Sequence, residues 1–386
     1  MSDGRLKVIV GSVFSLPPFS PGIAWDWLHL VLGLQDLGYE VVFVEEVQPQ
    51  WCRDRNGLPC PWDRSVNRAC FARAMGQFGL LAHACQVYDS GKATEGLSLR
   101  ALRTAVRDAD LLVNISGHVK LDWLLGAAQR RVYFDQDPVF TQLWMAEYGK
   151  QLNFGPHDLL LSVGLNIGTS ESPIPDCGLR WHTCLPAVVL AHWPCDADPR
   201  CRRFTTIASF GSYSELRFRG VRYGDKRSEF RRLAELPGRV QRELEVALRS
   251  PVDDPDAAVL RRGGWRVTDA GRLDTLERYQ AYIAGSRGEI GIAKHAYVQG
   301  KSGWFSDRAA HYLASGKPVL AQSTGFEWHV PTGTGLVSFS DVEEAAEGIA
   351  TIDGDYARHA RAARALAEEL LDHRKVLPAV IELATA

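Results

Sequence analysis

The sequence predicts an α/β protein built as two tandem Rossmann-like domains facing one another across a cleft. Three observations lead there. The chain has 386 residues, more than one ordinary core accommodates, so two domains of about 150–200 residues each are expected. Short apolar runs alternate with stretches of helical periodicity in both halves, the pattern of parallel, doubly wound sheets. A segment with three prolines, 186–201, separates the two series, as expected where few contacts cross a boundary. The predicted domains are therefore 1–195 and 202–370, with 371–386 as a terminal helix able to pack back on the first domain.

The first series opens with the apolar run Leu6–Val10, which ends in Gly11-Ser12. Helical spacing over Trp25–Leu37 stops at Gly38, and Glu40–Val44 is the next strand. Asp110–Ile115 and Arg131–Phe134 are further strands; Leu97–Arg107 and Val119–Ala128 are the helices before and between them. Trp51–Arg64 breaks this pattern with two cysteines, two prolines and an Asn-Gly pair. It reads as a long loop, and such loops are usually functional or mobile, so it is a candidate acceptor-side loop.

The second series begins with the strand Phe204–Ser209, followed by Gly211-Ser212. The helix Lys226–Glu235, the strand Gly264–Val267, the helix Arg272–Gly285 and the strand Glu289–Ala293 come next. Ser306–Ala314 is a helix stopped by Ser315-Gly316, and Pro318–Ala321 and Leu336–Phe339 are strands. Asp341 is placed to cap the helix Asp341–Ala350. Tyr356–Leu371 and Val376–Ala384 close the chain as helices.

Composition excludes several classes. The chain is 46% hydrophobic and 23% charged with a formal net charge of −2. That balance argues against disorder and against a dedicated nucleic-acid binder. No apolar run approaches the length of a membrane span, and the N-terminus lacks a secretory pattern, which together predict a cytoplasmic protein. Eight cysteines are present without Cys-x-x-Cys or zinc-finger spacing, so they read as free, partly buried thiols.

The chemistry is expected beyond the carboxyl ends of the strands. Ser306-Asp307 opens a helix, where free backbone N–H groups and the dipole favour a phosphate. Arg308 adds a donor suited to phosphate oxygens. The same residues also read as an ordinary N-cap with a surface charge. Lys294 follows a strand and is placed to neutralise a diphosphate; Glu289, in that strand, is placed to bind a ribose or sugar hydroxyl. Gly211-Ser212 and Gly11-Ser12 follow the first strand of each domain, where glycine permits close backbone approach. Neither place carries a G-x-G-x-x-G fingerprint, which lowers the odds of a dehydrogenase. Arg217, Arg219, Arg222, Lys226 and Arg227, interrupted by Asp225 and Glu229, read as a solvated, partly paired face. In the first domain Asp135 and Asp137 follow a strand and are candidate bases, although Asp137-Pro138 reads equally well as a helix start. His118, in Ser116-Gly117-His118, is the other candidate base or sugar contact. Trp25, Trp27, Trp51 and Trp62 are candidates for stacking on an acceptor or for core packing.

The stretch from Ser302 through Gly325, with Ala314-Ser315-Gly316-Lys317-Pro318-Val319 at its centre, resembles the nucleotide-sugar half of GT-B glycosyltransferases. Glu289–Val298, Pro331–Phe339, Asn114–His118 and Phe134–Gln142 extend the resemblance over most of the chain. The whole is similar to a bacterial group of "family 1" glycosyltransferase-like proteins. The resemblance implies transfer of a sugar from a nucleotide-diphosphate donor to a small-molecule, glycan or natural-product acceptor. It implies Lys294 and Arg308 as stabilisers of the leaving nucleotide. No cofactor beyond the nucleotide-sugar co-substrate is expected, nor a bound metal, since Asp135-Gln136-Asp137 continues into proline. One departure stands out. Many retaining GT-B enzymes carry two glutamates with seven residues between them, and Gly303 and His311 occupy those places here. The departure keeps two alternatives open: an epimerase or phosphosugar transferase of the same fold, and a catalytically silent sugar-nucleotide-binding protein.

Overall fold

The computed structural model describes residues 5–16, 19–195, 198, 200–211 and 213–386. Its first half is an eight-stranded sheet: β1 Lys7–Ser12, β2 Glu40–Val47, β3 Ala84–Tyr88, β4 Ala93–Gly96, β5 Ala109–Ile115, β6 Ala128–Asp135, β7 Leu159–Ser162 and β8 Trp181–Thr183. The strand order is 4-3-2-1-5-6-7-8, parallel throughout except for the β3–β4 pair. The second half contains β9 Arg203–Ser209, a small hairpin of β10 Leu216–Phe218 and β11 Val221–Tyr223, then β12 Glu243–Arg249, β13 Arg266–Asp269, β14 Gly288–Gly291, β15 Val319–Gln322 and β16 Leu336–Phe339. Its six-stranded sheet runs 13-12-9-14-15-16, parallel at every pairing. Two doubly wound sheets in tandem are thus observed, and each reverses its strand order next to its own first strand. The switch points lie between β1 and β5 and between β9 and β14.

The core follows from the strand composition. Parallel strands are covered on both faces and read as continuous apolar runs. Val8, Ile9 and Val10 of β1 are all fully buried. The helix Pro21–Asp36 covers this sheet, with Pro21 at its first turn, where the missing N–H costs nothing. One apolar cluster runs continuously through that helix, the helix Asp307–Ala314 and the last helix His373–Thr385.

The last helix returns to the first half. Asp372 pairs in a β-bridge with Val188, His373 Nε2 lies 2.8 Å from Asp36 Oδ2, and Arg130 donates to the Ala384 carbonyl at 3.3 Å. A turn of π-helix, Ala367–Leu371, precedes it.

Several elements differ from expectation. Only Asp122–Leu125 of the expected helix Val119–Ala128 is helical, because Asn114 captures Val119 through both its backbone N–H and its carbonyl. The strand β12, Glu-Leu-Glu-Val-Ala-Leu-Arg, is absent from the expected elements although Leu244, Val246 and Leu248 alternate with Glu243, Glu245 and Arg249; it pairs with β9 and β13. Trp51–Arg64 contains part of one short 3-10 turn and the whole of another, and none of its residues lines the cleft cavity. Trp62 is buried there, stacked on Tyr88 with its N–H bonded to Gln86. The acceptor-side reading of this loop is therefore replaced by packing at the sheet edge. Trp25 is also a core residue, 1% exposed; of the four tryptophans proposed for stacking, only Trp27 lines the cavity. All eight cysteines are free thiols.

Candidate active site

A cavity of about 560 Å³ opens between the two halves. Its walls come from the carboxyl ends of strands on both sides of each switch point: Val13 and Phe14 after β1, Ser116 and His118 after β5, Ser209 at the end of β9 and Lys294 after β14. Parallel sheets leave a crevice at these places because the connections on either side diverge to opposite faces.

The wall from the second half is cationic. Arg308 lies in the first turn of the helix Asp307–Ala314, whose N-cap is Ser306, and Ser306, Asp307 and Arg308 all face the cavity. Arg308 Nε donates to Glu289 Oε1 at 2.5 Å and Nη1 donates to the Ile207 carbonyl at 2.6 Å. These contacts fix the guanidinium and leave Nη2 buried without a partner, along with Glu289 Oε2. Glu289 is fully buried and does not line the cavity. The expectation that it binds a sugar hydroxyl is corrected: it is the counter-ion of Arg308. Burial raises its carboxyl, against the pull of that guanidinium.

Lys226 completes this wall, and the sequence reading missed it. Arg217, Arg219, Arg222 and Arg227 do behave as a peripheral, partly paired set: Arg222 pairs with Glu215, and Arg227 with Asp225, Asp254 and Asp256. Lys226 instead turns inward to the cavity, within 5.9 Å of the Trp304 ring centre. Among the described residues it forms no ion pair. Burial, then Arg308, then Lys294 push its ammonium well below the ordinary lysine range. In the sequence Lys226 is one cation among five between positions 217 and 227, and its charged neighbours masked it.

Lys294 bridges the halves. Its Nζ donates to Asp137 Oδ1 at 2.6 Å and to Tyr297 Oη at 2.9 Å, and it sits 4.3 Å from the Tyr213 ring centre. Asp137 also accepts from the hydroxyls of Tyr213 at 2.6 Å and Tyr297 at 3.0 Å. Burial alone would raise this carboxyl, but Lys294 and the two tyrosines hold it below its ordinary value. A carboxylate so neutralised is a weak base.

Asp135 is placed differently from its proposed role. It is fully buried and does not line the cavity. It accepts from Thr141 Oγ1 at 2.6 Å, Gln142 Nε2 at 3.1 Å, Ser162 Oγ at 2.9 Å and the Asp137 N–H at 3.0 Å. These bonds brace the turn that presents Asp137. Within that turn Val139 has φ 75°, a conformation costly for a β-branched residue, and Gln142 Oε1 accepts its N–H at 2.7 Å.

His118 opens into the cavity. Although the ring is exposed there, the surrounding walls, and then Lys120, push it down to about 4, against the pull of Asp137. The imidazole is neutral at pH 7.

The glycines play local parts. Gly11 lies inside β1 rather than in a turn, and a Cβ there would stand 2.2 Å from Val119 Cγ2. It is small for packing and does not reach the cavity. Gly211 has φ 78° and donates its N–H to Asp225 Oδ2 at 2.9 Å, which holds the residue before Lys226. Ser212 lies outside the described residues. Gly303 has φ 70° and would press a Cβ on Asn166, a residue of the first half. His311 is buried, stacked 4.4 Å from the Trp193 ring and bonded to Tyr279 Oη. Neither therefore supplies an acid to the site. Among the described residues no group of three or more His, Cys, Asp or Glu side chains is arranged to hold a metal ion, and no helix is long and apolar enough to cross a membrane.

No family model matches the chain, and no curated protein matches it in sequence. Solved structures do match in fold. An alpha-glucosyltransferase in complex with UDP and a 13-mer DNA superposes with a TM-score of 0.59 at 12% identity, over 99% of this chain and 100% of that one. Sucrose-phosphate synthase from Thermosynechococcus elongatus gives 0.54 at 14% identity, over 98% of each chain. Anabaena HepE in complex with UDP-glucose gives 0.57 at 11% identity, over 98% of this chain and 99% of that one. The likeness spans both halves end to end, so the chain has the two-domain GT-B fold of these glycosyltransferases.

Proposed function

We propose that the protein transfers a sugar from a nucleoside-diphosphate donor to an acceptor hydroxyl. The observation that carries this reading is the convergence of Lys226, Arg308 and Lys294 with the start of the helix Asp307–Ala314 on one cavity between two GT-B halves. Cations fixed in a partly desolvated cleft stabilise the charge that develops on a departing diphosphate. Arg308 is pre-organised by Glu289 and retains a free nitrogen for an oxygen ligand. UDP and UDP-glucose are bound in two of the three solved structures that this fold resembles, which makes a uridine donor the first to test. In this reading the donor is the only co-substrate, the leaving group's charge is met by side chains, and the work is done in the cytoplasm. An epimerase needs several acids and histidines free in the cleft. Among the described residues His118 is the one histidine that lines the cavity, Asp137 is neutralised by Lys294, and Asp26 and Asp307 are the remaining carboxylates there.

A thermal-shift screen of nucleotides and nucleotide sugars tests the reading. A donor at 100 times its Kd stabilises by about 2.7 kcal/mol. The absence of any stabilising nucleotide would refute it.

A further inference from the structure

Part of the cavity lining is apolar. Leu16, Ile23, Trp27 and Leu30 of the first half line it together with Val376 and Val380 of the last helix. Leu16 and Ile23 are 37% and 48% exposed at its rim, although large apolar side chains are ordinarily buried. Asp26 stands among them on the helix Pro21–Asp36, lining the same cavity. Among the described residues no hydrogen bond or ion pair engages it. The two acids at the end of β6 are already committed, Asp135 to four hydrogen bonds and Asp137 to Lys294, and Asp307 opens the helix that carries Arg308.

Taking the transferase reading as its basis, we propose that Asp26 is the catalytic base and that the acceptor is an alcohol or phenol carried on an apolar body. The Asp26 carboxylate accepts the acceptor O–H proton as that oxygen bonds to the anomeric carbon. The bond from that carbon to the donor phosphate oxygen breaks, and its electron pair leaves with the nucleoside diphosphate, held by Lys226 and Arg308. The proton on Asp26 then passes to solvent. A sugar acceptor would strand several hydroxyls against aliphatic walls, which is unfavourable without partners; a flat or branched hydrocarbon fills them. The titratable groups facing Asp26 are Asp307, from the helix of the second half, and Cys184, after β8; the last helix presents only apolar side chains to this part of the cavity. Burial, then Asp307, raise the Asp26 carboxyl well above its ordinary value, which suits a base working near neutrality.

The test uses the full chain with UDP-glucose and three acceptors: 2-naphthol, geraniol and cellobiose. The first two separate an aromatic aglycone from a lipid-like alcohol, and a glucoside on either supports the class. Asp26→Asn should lower kcat on that acceptor by about 10²–10⁴-fold and leave UDP-glucose binding within about threefold. Asp307→Asn should move the acid limb of the wild-type rate profile to lower pH. Ile23→Asn, at the rim, should raise KM for the apolar acceptor alone, and it serves as a second variant if Asp26→Asn fails to fold. Wild-type rates in Asp26→Asn, or an acid limb unmoved by Asp307→Asn, would overturn the base. Transfer to cellobiose alone, or to none of the three while UDP-glucose binds, would overturn the acceptor class. Failure of the wild type to bind UDP-glucose or any other nucleotide sugar strikes the transferase reading instead.

Discussion

Replacing Lys226 with methionine should weaken nucleotide binding and strengthen the fold, an opposition expected of a cation held in place for a ligand. Lys226 has no ion pair among the described residues and sits close to Arg308 and Lys294. Its free amine is therefore favoured by the folded state, and protonating it costs stability. The sign follows from linkage. Between its depressed folded value and the unfolded lysine value of about 10.4, the unfolded chain binds more protons, so stability climbs with pH. Lys226→Met should remove that climb, with its gain largest at low pH and gone above about pH 10.4. A bound diphosphate reverses the electrostatics and draws a proton back onto the amine. A hydrogen bond to a charged group contributes about 1.5–3 kcal/mol, so the UDP Kd should rise about 10- to 150-fold in Lys226→Met. Titration calorimetry with UDP in two buffers of different ionisation enthalpy reads both quantities. Wild type should take up protons on binding at pH values between the depressed folded value and the ordinary lysine value of about 10.4, and the variant none from this site. A UDP Kd within about threefold of wild type, with unchanged proton uptake, would refute the placement of a diphosphate against Lys226.

Other outcomes follow from the same structure. Arg308→Met should destabilise by about 3–5 kcal/mol in urea unfolding by leaving Glu289 charged and buried, and the double variant with Glu289→Met should recover most of that; equal losses in both would disprove the pairing. Gly11→Ala should cost about 1–3 kcal/mol through its clash with Val119 while UDP affinity stays unchanged, and a lost affinity would return Gly11 to the site. His311 is buried, and desolvation pushes it from 6.5 down to about 4. The unfolded chain therefore gains a proton that the folded one refuses, and stability should fall by about 3 kcal/mol as pH drops from 6.5 to 4. A flatter acid limb in His311→Gln would confirm this, and an identical limb would exclude it.

Much of the site follows from where residues stand along the chain. His118, Asp137 and Lys294 come just after strands, and Ser306–Arg308 opens a helix that leads into β15. In a parallel sheet every strand delivers its carboxyl end to the same edge, so strand-end residues distant in sequence reach one crevice without any knowledge of packing. Asp135 illustrates the limit, since it ends the strand that Asp137 follows and yet Thr141, Gln142 and Ser162 consume its oxygens. Lys226 and Asp26 mark the complementary failure. The first is one charge in a basic run, and the second is one polar residue in an amphipathic helix, where nothing local distinguishes a side chain facing a cleft from one facing solvent.

Hydrophobic periodicity, helix stops and turn residues thus determined by themselves that the chain forms two doubly wound domains and which chain positions border the cleft, because these depend on interactions between near neighbours. The pairing of Glu289 with Arg308, the inward turn of Lys226, the stranding of Asp26 among apolar walls and the return of the last helix to the first half were decided only by tertiary structure. Each depends on which groups are brought together and stripped of water, and desolvation is a property of the assembled surfaces that no single stretch of sequence carries.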